Sequence, residues 1–232
     1  QQVLQLAACI GNRFNLKMLS VVYEKTPSET ANDLWAALQS GQIIPIGDDY
    51  KYVQEDNVAK VYYRFLHDRV QQAAYLLISE DNRKHIHLRI GRLMYENASK
   101  TEREELLFDI TNQLNHGVEL LTTLDEKINL AQLNFAAGKK AKMAIAYISA
   151  IDYLSLGISL LPDDSWQNHY TLTLGLYTEH AECSYLTADF DTATQYFELA
   201  LRHAQSVLEK AEIGRLRMDA YTTQGQYEAV LK

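Results

Sequence analysis

Apolar residues recur at helical spacing through almost all of the chain after about Glu80, and the breaks between the helical segments are short. Two successive faces show this spacing: Ile86, Ile90, Leu93 and Met94, then Leu106, Ile110, Leu114, Val118 and Leu121. Repeats of three and four residues are typical of amphipathic helices, and short breaks favour antiparallel neighbours. We therefore predict that residues 80–232 fold as helix pairs in series.

Two of the later helices share a pattern of small and large residues. Its members are Ala150, Leu154 and Gly157 in "SAIDYLSLGISLLP", and Ala193, Phe197 and Ala200 in "DTATQYFELAL". This spacing resembles the second helix of a tetratricopeptide repeat, where small residues let helices approach and the large residue fills the gap. The two matches are 43 residues apart, against about 34 in that family. The interpretation is an α-α solenoid of lengthened tetratricopeptide-like pairs, with "QGQYEAVLK" as the start of another repeat.

The first 79 residues show a different order of patterns. "VLQLAACI", "LKMLSVVY" and "SETANDLWAALQSG" predict three helices, the last with Ser28 as its N-cap and Gly41 just beyond its end. "QIIPIGDDYKYV" then predicts a β-hairpin around Gly47–Asp49, with Pro45 on an edge strand, and "VYYRF" predicts a further strand. Three helices followed by a small β-wing are the outline of a winged-helix domain, which we place at residues 1–79.

A further helix is predicted after Phe65. Its apolar face is expected to pack on the winged-helix domain or to link that domain to the next, and consists of Val70, Ala73, Ala74, Leu77 and Ile78. At its start, Asp68 and Gln71 fit a capping-box-like arrangement, in which a carboxylate satisfies free backbone N–H groups.

Composition argues against several classes of function. The net charge of −8 and a pI near 5.4 disfavour nucleic-acid binding, and the helix before the wing has no Lys or Arg between Ser28 and Gln39. No apolar run is long enough to cross a bilayer. Cys9 and Cys183 are expected to be buried, reduced thiols, which fits a cytoplasmic protein. Since Gln1 opens directly into an amphipathic segment, we expect an excised part of a longer chain.

No catalytic constellation or metal site is predicted. "AAGKKAK" around Gly138 lacks the first glycine, the Ser or Thr after lysine, and the preceding strand of a phosphate loop. His85 and His87 are two residues apart, which on a helix points them in nearly opposite directions, so we interpret both as surface histidines. The tyrosines of the second half are interpreted as packing residues, and the alternative for some of them is the lining of a binding groove. We therefore expect a fragment that is not an enzyme.

At "FLHDRVQQAAY" the sequence resembles the STAND-type AAA ATPase modules of multi-sensor signal transduction histidine kinases and serine/threonine kinases. Leu66, His67 and Asp68 stand where the wider STAND class has Met-His-Asp. The resemblance implies that His67 contacts the β-phosphate of ADP bound to a neighbouring domain. A helix N-terminus beside an imidazole also favours a phosphate, and the alternative is an ordinary surface or interface histidine.

The resemblance also implies a function. The chain would be a non-catalytic regulatory and interaction fragment, coupling ADP or ATP in an upstream nucleotide-binding domain to downstream sensor and kinase domains. It would hold no cofactor itself and would bind a protein or peptide on its repeat surface. Two alternatives stay open: a general protein-binding scaffold with a structural winged helix, and a winged-helix transcription regulator.

Overall fold

The computed structural model describes residues 1–51 and 58–223, and the chain divides into two compact units, Gln1–Leu121 and Thr122–Lys232. The first unit contains α1 (Gln2–Ile10), β1 (Arg13–Asn15), α2 (Leu16–Tyr23), α3 (Pro27–Gln39), β2 (Ile43–Ile46), β3 (Tyr62–Phe65), α4 (Asp68–Leu76), α5 (Glu80–Asn97), α6 (Lys100–Glu105) and α7 (Leu107–His116). Short 3-10 turns lie at Asp49–Lys51, Val58–Lys60 and Val118–Leu120. The second unit contains α8 (Leu124–Met143), α9 (Tyr147–Ser159), α10 (Ser165–Asn168), α11 (Tyr170–Leu186), α12 (Phe190–His203) and α13 (Val207–Thr223).

The prediction of a mainly helical chain with a small β element is confirmed. The compact units divide the chain after Leu121, whereas the sequence places a boundary after residue 79. The difference arises because α5 packs against α1 and α2 as well as against α7. The continuation from residue 224 onward, including the expected start of a further repeat, lies outside the described residues.

The small sheet has the order β1-β3-β2, with both pairs antiparallel. Pro45 lies on the edge strand β2 opposite Tyr63, as predicted. Proline has no N–H to donate to a neighbouring strand, and an edge strand tolerates this because it has a neighbour on one side only. The predicted hairpin within Gln42–Val53 falls partly outside the described residues, and β2 pairs with β3 instead. Strand β1 was not predicted. Its Phe14 is buried against Tyr63 and Phe65, with ring centroids 5.8 and 5.7 Å away.

The cap of α3 differs from the prediction. Thr26, not Ser28, is the N-cap: its side chain accepts from the backbone N–H of Glu29, and the Glu29 carboxylate accepts from the backbone N–H of Thr26. Pro27 explains the shift, because its fixed φ suits the first helical position and leaves the preceding residue extended. Gly41 lies just past the helix with φ +69, as a C-terminal glycine is expected to.

In the second unit, α8 packs on α9, and α11 packs on α12. All six residues of the small-large-small pattern are buried: Ala150, Leu154, Gly157, Ala193, Phe197 and Ala200. Gly138 shows why small residues are needed here, since a Cβ at this position would lie 2.6 Å from Leu154 Cγ. "AAGKKAK" is therefore a segment of helix α8 whose glycine permits a close helix crossing.

The two helix pairs turn in the same way. Ile145 follows α8 with φ +62, and Ala188, 43 residues later, follows α11 with φ +66. Each donates its N–H to the carbonyl three residues earlier, on Lys142 and Tyr185, at 2.9 and 3.0 Å. The turn geometry thus repeats with the period that the buried pattern showed in the sequence.

Glycine at the first of these turns is expected to stabilise the chain. Left-handed backbone costs a side chain with a Cβ about 1 kcal/mol, and more when it is β-branched, while Ile145 is 72% exposed and has little packing to lose. We expect Ile145→Gly to raise the free energy of unfolding of the second unit by about 1 kcal/mol in urea titration. Ala188→Gly is the matched control, with a smaller gain in the same direction. Destabilisation by Ile145→Gly would show that the isoleucine side chain contributes more than its backbone costs.

Candidate functional site

His67 immediately precedes α4, in extended conformation with φ −135 and ψ 140, and its side chain is exposed. It is the N-cap residue by position but makes no side-chain capping bond. Within residues 1–51 and 58–223 its ring has no hydrogen-bond partner, and it lies in an open surface depression with Asp68, Arg69 and Val70. The histidine and the helix N-terminus therefore face solvent together.

Asp68 and Gln71 do not form the predicted capping box. Asp68 is the first residue of α4, and its Oδ1 accepts from Asn12 Nδ2 at 2.8 Å. Gln71 Nε2 donates to the carbonyl oxygen of Ala8, at 3.1 Å. Both side chains bond to these partners rather than to their own helix backbone. Gln71 joins α4 to α1, and Asp68 joins it to Asn12, which follows α1.

Removing Gln71 should weaken this attachment. Gln71→Ala leaves the Ala8 carbonyl without its donor, and a typical hydrogen bond is worth about 1 kcal/mol net. We expect the first unit to lose about 1 kcal/mol in chemical denaturation. Gln72→Ala is the matched control, because its side chain is exposed on the same helix and its replacement should change stability little. Equal losses for both variants would contradict the assigned contact.

The face of α4 that was expected to pack on the domain is largely open. No residue of α4 itself is buried; of the predicted face, only Ile78, just beyond the helix, is buried. Leu77 is 62% exposed. It lies at a groove of about 450 Å³ between α1, α3 and α4, whose apolar lining is formed by Val3, Leu4, Ala36, Ala37, Val70, Ala73, Ala74 and Leu77. This groove and the exposed His67 are the two surfaces that α4 presents.

His85 and His87 lie in different environments. His85 is exposed, as predicted, but His87 is buried, at 5% exposure, and contacts Tyr75, Gln113 and His116. The interpretation of His87 as a surface histidine is wrong. The sequence contained a signal for the burial of His87. It lies three residues before Ile90 and seven before Met94, which places it on the apolar face of the helix.

Both cysteines are buried and free, as predicted. Burial raises the pKa of each thiol to about 12, so both are neutral and poor nucleophiles at physiological pH. In the described part of the chain, no three His, Cys, Asp or Glu side chains come close enough together to hold a metal ion.

The tyrosines of the second unit take part in a chain of ring contacts. Tyr177 contacts Trp166 with ring centroids 5.3 Å apart and Tyr196 with centroids 5.0 Å apart, and Trp166 stacks on His203 at 4.2 Å. His180 contacts Tyr196 at 4.8 Å. These rings join α10, α11 and α12, which agrees with a packing role.

The most exposed apolar side chains of the α8–α9 turn are Met143, Ile145 and Ile148. Close by, Lys142 bridges Glu179 and Glu182 of α11, with both Nζ–Oε2 distances 2.7 Å. Burial opposes protonation of Lys142, but the two carboxylates outweigh it and raise its pKa. Lys142 is thereby paired with two carboxylates. The surface next to it is the apolar turn that exposes Met143, Ile145 and Ile148.

A comparison with curated proteins gives one similarity across nearly the whole chain. Over 98% of its length, this chain is 28% identical to "Hybrid signal transduction histidine kinase G" of Dictyostelium discoideum. The chain spans only 8% of that protein. No protein-family model matches the chain, and no solved structure matches it. Among the helices that the structure describes, none combines the length and the apolar character needed to cross a membrane.

Proposed function

We propose that this chain is a non-catalytic regulatory segment of a signalling kinase. It would couple the nucleotide state of an upstream STAND-type ATPase domain to downstream sensor and kinase domains by protein contacts. The observation that carries the proposal is the open apolar groove between α1, α3 and α4. His67 is exposed at the N-terminus of α4. Similarity to a hybrid histidine kinase over nearly the whole chain supports the signalling context.

The order of elements supports a winged-helix assignment for the start of the chain. Helix α1, strand β1, helices α2 and α3, and strands β2 and β3 follow one another, with the three strands in one antiparallel sheet. The acidic α3 argues against DNA as its partner: Glu29 and Asp33 lie on it, and no Lys or Arg does. A winged helix with this charge is suited to contact a protein domain.

The groove supports an interdomain contact. An apolar groove between three helices offers a surface into which the side chains of a partner can pack, and α4 has its polar contacts on one side and Leu77 on the other. The occupant we propose is the upstream nucleotide-binding domain, whose bound phosphates would then lie within reach of His67. The absence of a phosphate-binding loop upstream in the parent sequence would contradict this.

The experiment uses the longer protein that carries the upstream domain. Leu77→Glu places a charge in the groove, whereas Leu76→Glu changes a residue of similar exposure (59%) that does not line it. We expect Leu77→Glu to increase hydrogen exchange in α1 and α3 in the ADP-bound protein and to change kinase output, and Leu76→Glu to do neither. Identical behaviour of the two variants would exclude the groove as the contact surface.

A general protein-binding scaffold is the second candidate, favoured by one observation. The α8–α9 turn exposes Met143, Ile145 and Ile148 at 83%, 72% and 73%, a concentration of apolar surface that marks interaction sites. Light scattering over a concentration series tests whether it mediates self-association. Under this proposal Met143→Ser with Ile148→Ser reduces the association. A chain that stays monomeric at all concentrations contradicts self-association through this turn.

A further inference from the structure

A chain of three hydrogen bonds, two buried and one partly buried, joins four helices of the first unit. His87 lies on α5, and its Nδ1 is 2.7 Å from Gln113 Oε1 on α7. Gln113 Nε2 donates to the carbonyl oxygen of Cys9 on α1, at 2.8 Å. His87 Nε2 is 3.0 Å from the hydroxyl of Tyr75 on α4. Both ring nitrogens of a buried histidine are therefore engaged.

The direction of these bonds fixes the proton on the imidazole. The Cys9 carbonyl can only accept, so the amide nitrogen of Gln113 faces it and the amide oxygen faces His87. That oxygen also can only accept, so the proton lies on His87 Nδ1. In the neutral ring, His87 Nε2 is unprotonated and accepts from the Tyr75 hydroxyl. A second proton on Nε2 would reverse this bond, because a hydroxyl can also accept, and would place a positive charge on a buried ring, which is costly without a counter-ion.

The surroundings oppose a positive charge on His87. Arg83 of the same helix lies over the Tyr75 ring at 5.0 Å, and the His116 ring of α7 is 4.6 Å away. The Cys9 thiol of α1 is neutral, since burial raises its pKa to about 12. The groups that face His87 are thus an arginine, a second histidine and a neutral thiol.

Two carboxylates on the other packed elements are already paired. Glu24, at the end of α2, binds Arg89, and Glu119, in the 3-10 turn after α7, binds Lys84. Both pairs lie at the surface. On α7, burial raises the pKa of the Asp109 carboxyl. The groups whose charge shifts the pKa of His87 are His116 and Arg83, and both lower it.

Helix α4 depends on this bond because it has little else to hold it. It has no buried residue, and its first half is fastened by Asp68 to Asn12 and by Gln71 to Ala8. Tyr75 is the side chain that fastens its last turn, through the hydroxyl on His87. Loss of that bond would remove the side-chain contact beside the exposed Leu76 and Leu77, with the buried Ile78 following them.

We propose that Tyr75, His87, Gln113 and the Cys9 carbonyl form a proton-sensitive latch, which holds the last turn of α4 when His87 is neutral and releases it when His87 is protonated. The proposal stands on the contacts within the first unit and does not depend on the proposed function. Release of α4 changes the groove formed with α1 and α3, so protons would regulate whatever docks there.

The pH range follows from the direction of the shift. Burial lowers the pKa of His87, and His116 and Arg83 lower it further, against an opposing contribution from the Gln113 hydrogen bond. The latch is thus fully effective above the pKa of a free histidine, about 6.5. It weakens as the pH falls below that value toward the lower pKa of the closed state, because the open state binds the proton more readily.

Hydrogen exchange of the α4 amides, corrected for the intrinsic effect of pH, tests the latch on the chain itself. Between pH 7.5 and pH 5.5 we expect the opening of α4 to increase, by up to about tenfold, the limit for one group with an open-state pKa near 6.5. The amides of α1 and α7 should show a smaller increase, since they stay folded when only α4 opens. A wild-type α4 whose opening does not change with pH, or changes no more than α1 and α7, overturns the proposal.

Two variants separate the latch from general acid sensitivity. His87→Gln should abolish this increase, while His85→Gln, two residues away and exposed, should retain it. Tyr75→Phe keeps the core volume and removes only the hydroxyl, and at pH 7.5 it should already increase α4 opening about threefold to tenfold. This variant also serves if His87→Gln does not fold. Unchanged α4 exchange in Tyr75→Phe would refute the role of the hydroxyl.

Discussion

Replacing Phe197 with alanine is expected to lower the free energy of unfolding of the second unit by about 3–5 kcal/mol, the usual cost of deleting a buried aromatic side chain. Phe197 has no exposed surface and is packed in one cluster with Ala181, Ala200, Ala204 and Ile213. Larger side chains of α11, α12 and α13 also pack against this cluster, namely Leu174, Tyr196, Leu201 and Leu216. Removal of the ring therefore leaves a cavity bordered by three helices. Urea unfolding followed by circular dichroism measures the loss.

Leu154→Ala is the corresponding change in the preceding helix pair, with an expected loss of about 2–5 kcal/mol. Ile148→Ala is the matched control, because this residue lies on the same helix, α9, but is 73% exposed, and it should cost less than about 0.5 kcal/mol. Equal losses from Leu154→Ala and Ile148→Ala would contradict the assignment of Leu154 as the residue that fills the gap between helices.

A double substitution tests the close crossing directly. A methyl group at Gly138 would meet Leu154, so Gly138→Ala alone should destabilise by about 1–3 kcal/mol through overpacking. In the presence of Leu154→Ala, the same methyl group enters the vacated space. The two changes should therefore be less harmful together than the sum of their separate effects, by about 0.5–3 kcal/mol of coupling. Strict additivity would show that the two positions do not touch.

The helices were predictable because their signal is local. Leu16–Tyr23 is helical from its first predicted residue to its last, and the small-large-small residues of α9 and α12 are buried as expected. Periodicity reports which side of a helix is covered, and that information lies within a few residues. The winged-helix and tetratricopeptide-like assignments go beyond this signal and remain proposals.

The features that the sequence did not predict depend on residues far away in the chain. Strand β1 has three residues and owes its conformation to β3, some fifty positions later. Asp68 favours Asn12 over its own helix end. His87 had a local signal of burial, but its partners Gln113 and Tyr75 are on other helices. A buried polar side chain is stable only with such partners, and sequence spacing does not show them.

The exposure of α4 has a similar origin. Its apolar residues follow the helical pattern that predicted a buried face, yet Leu77 is mainly exposed. Periodicity identifies a surface that favours burial without identifying what buries it. A segment that docks on another domain, as we propose for this chain, would show this difference, because the partner domain would cover the apolar face. The groove of α1, α3 and α4 is thus consistent with the prediction of an apolar face and with the proposal of a docked domain.

Under the proposed function, His67→Ala is expected to weaken ADP binding about tenfold to a hundredfold in a longer protein that also contains the proposed upstream nucleotide-binding domain. The size follows from one hydrogen bond to a charged group, worth about 1.5–3 kcal/mol. His67 is free to make that bond, since its ring is exposed and has no hydrogen-bond partner in the described part of the chain. The fold of the segment should be unaffected, because an exposed residue outside the helix contributes little to the core.

The nucleotide dependence is what distinguishes a switch from a binding site. If His67 contacts the β-phosphate only in the ADP-bound arrangement, ATP affinity should fall much less than ADP affinity, and the difference biases the equilibrium between the two states. Calorimetry with both nucleotides measures it, and His85→Ala, an exposed histidine of the same unit, should leave both affinities unchanged. ADP and ATP affinities that His67→Ala does not alter would make His67 an ordinary surface histidine, while the groove could still be tested separately through Leu77→Glu.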